Sequence, residues 1–226
     1  MTEISRYARE IIESDFDLYP AEGLVRCLKG SYPRLPKIPR FGRALDAGCG
    51  EGRHSRLLQK LNYEVCGFEI DQSVVEALKQ RIPGVDFRVG MNSNIPFEDS
   101  VFDLVISWQA LYYLDTDTHG EIEGNVQEIS RVTKPLGVLI SCIPYDDNFI
   151  YDKSTIMRQN DGITYRKITD YFGQRTGVTL ASFDSPEVFT SLLSKHGFEK
   201  HEIGEMTGNW FGLSYRWFVC VSTKIC

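Results

Sequence analysis

The segment Ala44-Leu45-Asp46-Ala47-Gly48-Cys49-Gly50-Glu51-Gly52-Arg53 holds the residues whose types and spacing best suit chemistry. An apolar run leads into three alternating glycines and then a helix-like stretch, an arrangement that lets a ligand approach the backbone beyond the carboxyl end of a strand. A dinucleotide fingerprint needs its third glycine three residues after the second, but Arg53 stands there and the third glycine falls at Gly52. Asp46 precedes the turn and Glu51 sits inside it. Two acids repel a diphosphate, whereas they suit a ligand bearing a sulfonium and an ammonium. These charges favour S-adenosylmethionine over NAD. Glu69 follows Asp46 by roughly twenty positions, where doubly wound folds place the acid that holds two ribose hydroxyls. An ionised carboxylate only accepts hydrogen bonds and so matches two vicinal donors. The alternative role for Glu69 is capping the next helix, which Asp71 can also do.

The elements that must position these residues alternate along the chain. Arg43 to Ala47 reads as a strand and Gly52 to Leu61 as a helix with Leu57, Leu58 and Leu61 on one face. Tyr63 to Ile70 is a second strand, and Ser73 is placed to cap a helix carrying Val74, Val75, Leu78 and Ile82. Val85 to Val89 and Phe102 to Ser107 follow as strands. A helix then carries Ile122, Val126, Ile129 and Val132, stopped by Lys134, Pro135 and Gly137 before a fifth strand, Val138 to Ile143. Such alternation predicts an α/β fold, a Rossmann-like doubly wound sheet between two helical layers, mostly parallel with an antiparallel C-terminal strand. From 144 to 184 the pattern lapses, as expected of a lid over a polar organic substrate. Ser185-Pro186-Glu187 opens a closing helix, and Phe198 to Met206 with Tyr215 to Thr223 reads as an antiparallel pair. One domain is expected, with a helical cap over 1–40, a cofactor-binding core over 41–143, the lid, and closing elements over 185–226. Tyr7, Ile11, Ile12 and Phe16 lie at helical spacing in the cap, which either closes over the cofactor or packs on the sheet.

The chain's 226 residues, 42% of them hydrophobic, suffice for one full core. With 25 basic against 31 acidic residues the net charge is -6, which offers no broad basic face for nucleic acid. No leader-like or membrane-spanning apolar run is present. The six cysteines lack a CxxC pair and read as reduced thiols, which places the chain in the cytoplasm. A monomer or a homodimer is expected.

Taken together, the motifs resemble those of class I S-adenosylmethionine-dependent methyltransferases, in the broad small-molecule, type 11-like group. Leu45 to Gly52 is similar to that family's first motif and Gly67-Phe68-Glu69-Ile70-Asp71 to its second. Ile95-Pro96-Phe97-Glu98-Asp99 with Phe102-Asp103 resembles the stretch between its third and fourth strands. Arg131-Val132-Thr133-Lys134-Pro135-Leu136-Gly137 resembles the lead-in to its fifth, with Leu136 where glycine is usual. The resemblance implies that Asp46, Gly48, Cys49, Gly50, Gly52, Glu69, Ile70, Met91, Asn92 and Ser107 bind the cofactor. Within that set Asp46 organises the amino group, the glycines line the methionine part and Glu69 takes the ribose. The family often has an acid after the glycine ending the third strand, but Gly90 is followed by Met91 and Asn92. Met91 is expected to pack on the adenine, and an Asn92 carbonyl or backbone groups to take its amino group.

Methyl transfer from sulfonium is an in-line displacement that needs no metal, and a base only if the acceptor must lose a proton. The pocket wall is expected at Trp108, Tyr112 and Tyr113 after the fourth strand, with Tyr145 from the lid. The Asn/Asp-Pro-Pro-aromatic signature of DNA amino-methyltransferases and the paired glutamates of arginine methyltransferases are absent here, which demotes those two substrate classes; the resemblance implies a small-molecule acceptor. No catalytic base is identified; His119 and the lid tyrosines Tyr145, Tyr151, Tyr165 and Tyr171 are candidates. His196 and His201 read as a helix end and a strand residue, and no histidine has metal-ligand spacing. The competing readings are an NAD(P)-dependent oxidoreductase on the same sheet and a non-catalytic S-adenosylmethionine-binding protein.

Overall fold

A computed structural model describes residues 19–114 and 121–225. His119, Cys226 and the stretch before Tyr19 lie outside them. A short helix, α1 (Glu22–Lys29), precedes an alternation of β1 (Arg43–Ala47), α2 (Arg53–Lys60), β2 (Glu64–Glu69), α3 (Gln72–Arg81), β3 (Asp86–Val89) and β4 (Phe102–Trp108). After a two-residue strand β5 (Tyr113–Leu114) come α4 (Ile122–Val132) and β6 (Thr133–Pro144). The chain continues through a 3-10 turn (Phe149–Tyr151), β7 (Thr155–Asn160), β8 (Ile163–Lys167), β9 (Thr179–Phe183), α5 (Pro186–Lys195), β10 (Phe198–Trp210) and β11 (Leu213–Lys224).

The seven-stranded sheet has the order β10-β11-β6-β4-β1-β2-β3. Its β1, β2, β3, β4 and β6 pair in parallel, while β11 runs antiparallel to both β6 and β10. The doubly wound expectation therefore holds, antiparallel C-terminal strand included. Continuous apolar runs such as Leu104-Val105-Ile106 make the central strands, because helices cover both of their faces and leave no polar side. The first strand order reversal lies between β1 and β4, and the glycine turn sits at the carboxyl end of β1.

Several boundaries differ for identifiable reasons. Asp71, not Ser73, caps α3: its Oδ1 accepts from the Ser73 and Val74 amides at 2.8 and 3.3 Å, and the Ser73 hydroxyl donates to the same oxygen. Asp71 has the extended backbone a cap requires. β6 begins at Thr133, immediately after α4, with exposed Leu136 held at φ 65° inside it. β10 and β11 extend past the sheet to a two-residue turn, Phe211-Gly212, with φ values of 51° and 95°. Positive φ at both central positions matches the right-handed twist of the two strands.

The segment expected as an irregular lid contains a second, four-stranded antiparallel sheet, β5-β9-β8-β7. Its β7 is exposed at every residue and so carries no alternation of polar and apolar positions. Edge pairing on β8, not burial of a face, makes Thr155–Asn160 a strand. The five described cysteines are free. No helix among the described residues is long and apolar enough to cross a membrane.

Candidate active site

Each glycine of the turn has its own reason to lack a side chain. Gly48, Gly50 and Gly52 all have left-handed backbones, at φ 67°, 52° and 81°. A Cβ on Gly48 would meet the Ala110 Cβ at 2.7 Å, just beyond β4. One on Gly52 would meet Ile82 and Leu78 at 2.6 and 2.8 Å, so Gly52 lets α2 and α3 close together. A Cβ on Gly50 would meet nothing within 4 Å. Gly50 thus faces open space at the strand end.

The carboxylates around the turn crowd one another. Asp46 is 1% exposed and accepts a 2.6 Å hydrogen bond from the Ser55 hydroxyl. Burial pushes its carboxyl up to about 6, and Glu51 pushes it the same way against the pull of Ser55. Glu69 is 7% exposed and accepts from the Gly50 and Ile70 amides at 3.1 and 2.9 Å. Burial raises it too; the two amides oppose this, and Asp71 and Glu51 add to it. Glu51 does not point into water: its side chain is 12% exposed and its Oε1 lies 3.2 Å from the Arg53 Nε. Arg53 therefore pairs with Glu51 and only weakly offsets Asp46, and among the described residues Asp46 and Glu69 form no salt bridge. Because Asp71 caps α3, Glu69 carries no capping duty.

The other expected cofactor residues divide by what the structure lets them offer. Cys49 can contribute only backbone, since its thiol is buried against Gly67 and its amide donates to the Phe68 carbonyl. Ile70 is exposed at the end of β2. Met91 is also exposed, in a turn bridged to Asn94. Asn92 is fixed by its Nδ2, which donates to the carbonyls of Ala110 and Tyr113 at 2.9 and 3.4 Å, and its buried Oδ1 has no partner among the described residues. Ser107 is fully buried with its hydroxyl unpartnered.

Of the expected pocket wall, Trp108 packs edge-on to His54 and lies under α1, where a Cβ on Gly23 would meet it at 2.8 Å. It also borders a cleft of about 970 Å³ shared with Gln109, Met206 and Tyr215. Tyr112 is fully buried and Tyr113 half-buried, their rings 5.0 Å apart. Tyr145 does not join them. Its ring packs on Phe218 and its hydroxyl donates to Glu205, while Tyr112 packs toward Trp217; consecutive residues of β11 face opposite sides of the sheet. Burial raises the phenols of Tyr145, Tyr151, Tyr165 and Tyr171, Tyr145 up to about 12, so none is poised as a base near neutrality. His196 ends α5 beside Glu123, and His201 bridges Ser194 and Ser222.

Sequence reading missed four residues near the strand ends. His54, in the first turn of α2, accepts from the Ala21 amide, and burial with the Arg53 charge pushes it down to about 3. Gln109 takes φ 61° just past β4, an uncommon conformation for a non-glycine residue. Tyr215 and Arg175 approach from β11 and the second sheet. No local pattern marks Arg175 or Tyr215, which only the tertiary fold brings here.

Residues 45–141 match the model of the methyltransferase domain family. Over that segment, which is under half of the chain, the sequence is similar to that family, and the chain has the fold of solved S-adenosylmethionine-dependent methyltransferases. A probable S-adenosylmethionine-dependent methyltransferase of Mycolicibacterium smegmatis is 32% identical over 113 residues, half of this chain and 42% of that one. The chain spans about half the length of the curated relatives it matches. A solved S-adenosylmethionine-dependent methyltransferase of Methanosarcina mazei shares the fold with a TM-score of 0.66 at 20% identity, over 92% of this chain and 99% of that one. The Burkholderia thailandensis 1,6-didemethyltoxoflavin-N1-methyltransferase, solved with its substrate and S-adenosylhomocysteine, gives 0.59 at 16% identity over 99% of this chain and 79% of that one. The matched segment holds the glycine turn, Glu69, Asn92 and the end of β4.

Proposed function

We propose that this chain transfers a methyl group from S-adenosylmethionine to a small-molecule acceptor. The observation that carries the reading is the pair of buried acids, Asp46 and Glu69, flanking a glycine whose missing side chain faces open space. Two carboxylates raised by burial and by neighbouring acids favour a cationic ligand, and they disfavour a diphosphate. Asp46 would hold the ammonium, Gly48 and Gly50 would lie along the methionine part, and Glu69 would accept from the ribose hydroxyls. The orphaned Oδ1 of Asn92 suits the adenine amino group, the need created by the missing acid after β3. When bound, the cofactor supplies an electrophilic methyl on a sulfur that departs neutral.

The protein's own task is then to orient and to exclude water. Gln109 and Tyr113 follow the carboxyl end of β4 and Tyr215 lies near the start of β11, on the side an acceptor would enter. Holding the acceptor's nucleophilic atom about 3 Å from the methyl can remove roughly 7 to 11 kcal/mol of barrier, so positioning alone accounts for a large rate gain. Calorimetry with S-adenosylhomocysteine and with NAD tests the cofactor: binding of the former alone is expected, and tight NAD binding overturns the reading. Incubation with methyl-labelled cofactor and pools of small metabolites tests transfer. Label recovered in a small organic product supports a small-molecule acceptor; label recovered only in added RNA or protein refutes it.

A further inference from the structure

Arg175 lies in the loop between β8 and β9, closed by hydrogen bonds from the Ile168 amide to the Val178 carbonyl and from the Gly177 amide to the Ile168 carbonyl. Its side chain is 20% exposed. The Nε donates to the Tyr113 hydroxyl at 2.9 Å, and Nη1 reaches the Asp170 Oδ2 only at 3.4 Å. Asp170 is already occupied by the loop itself, accepting from the Phe172 and Arg175 amides at 2.9 Å each. Nη2 has no hydrogen-bond partner among the described residues. The other groups around the guanidinium are the phenols of Tyr112, Tyr113 and Tyr151, with Tyr215 farther off, and burial keeps Tyr112, Tyr151 and Tyr215 protonated. The guanidinium is thus ion-paired to Asp170 through one nitrogen and set among phenols, with its Nη2 edge open. Since the Tyr113 oxygen accepts from Arg175, its own proton is free to be donated, and the fully buried Tyr112 hydroxyl also lacks a partner among the described residues.

The position of this cluster relative to the glycine turn is fixed. Tyr113 closes the turn after β4, its amide donating to the Ala110 carbonyl at 3.1 Å, and Ala110 is the residue against which Gly48 packs. Asn92 and Asn125 pin the same turn through the Tyr113 carbonyl. Arg175 is therefore tied, through the Tyr113 side chain, to the turn that packs against the cofactor loop.

We propose that Arg175, with Tyr113, anchors a carboxylate carried by the methyl acceptor, so that the substrate is a small organic acid. The inference rests on the methyl-transfer reading above. A planar guanidinium with a free edge pairs with a carboxylate in a fixed orientation, which a lysine ammonium does not do. The half-buried ring of Tyr113 beside it suits an acid with an aromatic or unsaturated body.

Benzoate and 3-phenylpropionate, each against its own amide, are the probes, titrated into protein saturated with S-adenosylhomocysteine. The acids are expected to bind at least tenfold tighter than the amides. Arg175→Gln is expected to erase that preference, Arg175→Lys to keep part of it, and Tyr113→Phe to weaken the acids three- to tenfold with the amides unchanged. All three variants should bind S-adenosylhomocysteine within twofold of the parent, which shows that they are folded. Equal affinity for acid and amide, absence of binding by either acid, or a preference that survives Arg175→Gln would each overturn the proposal. Failure of the parent protein to bind S-adenosylhomocysteine would instead overturn the methyl-transfer reading.

Discussion

Glu69 is the residue on which the cofactor assignment can be tested most directly, because Asp71 caps the neighbouring helix and leaves Glu69 free for a ligand. Glu69→Ala is expected to weaken S-adenosylhomocysteine binding by about 1.5 to 3 kcal/mol, the scale for hydrogen bonds to a charged group. Calorimetry reads the change; an unaltered affinity refutes the role. Asp46 presents the opposite balance. Its carboxyl is held at about 6 rather than 3.8, so keeping it ionised at pH 7 costs the cofactor-free fold on the order of 3 kcal/mol. Asp46→Asn retains an oxygen for the Ser55 hydroxyl and removes that charge. The variant is expected to melt higher than the parent without ligand while binding S-adenosylhomocysteine at least tenfold more weakly. A melting point that falls, with affinity kept, would show that Asp46 serves the fold and not the ligand.

At the scale of elements, the glycine turn makes a paired prediction. Gly52→Ala adds both left-handed strain and overlap with Leu78 and Ile82, whereas Gly50→Ala adds only the strain. The first is expected to destabilise by about 2 to 4 kcal/mol and the second by about 1 to 2, measured by urea denaturation. Equal losses would mean that the α2–α3 contact gives way. Leu136, exposed at φ 65° where β6 leaves α4, is strained in the same way without packing to offset it. Leu136→Gly should raise the melting temperature by roughly 2 to 4 °C, the shift for about 1 kcal/mol in a chain of this size. These features show what the sequence discloses. Glycines with acids beside them, and apolar runs at strand spacing, carry their reason locally, so β1 to β4 and β6 of the main sheet were legible, as was the turn that brings Asp46, Gly50 and Glu69 together. The second sheet was not, because β7 has no buried face and β5 has only two residues. Nor could sequence place Tyr145 across the sheet from Tyr112, or bring Arg175 to Tyr113, 62 positions away. Those relations arise from pairing of β9 with β5 and from which side of a strand a residue occupies.

For the molecule as a whole, the buried acids make stability and ligand binding depend on pH in opposite senses. Arg131 holds Glu128 below the usual carboxylate range despite burial, and Lys134 does the same for Asp103; their stabilisation is present above the ordinary carboxylate range and is lost as pH falls through their lowered values. Asp46 and Glu69 are raised instead. Between pH 4 and the folded value of about 6, native Asp46 binds more protons than the unfolded chain, so its contribution declines as pH rises through that window. A cationic ligand favours the ionised acid and removes that decline. At one hundred times its Kd a ligand adds about 2.7 kcal/mol, and its Kd should tighten from pH 5 to pH 7.5 as Asp46 ionises without it. The gap in melting temperature between protein with and without S-adenosylhomocysteine, whose amino group retains its charge, is therefore expected to be several degrees wider at pH 7.5 than at pH 5. In Asp46→Asn that widening should largely disappear. A gap independent of pH in the parent, or one that narrows toward pH 7.5, would mean that the acids around the glycine turn do not face the ligand's positive charge.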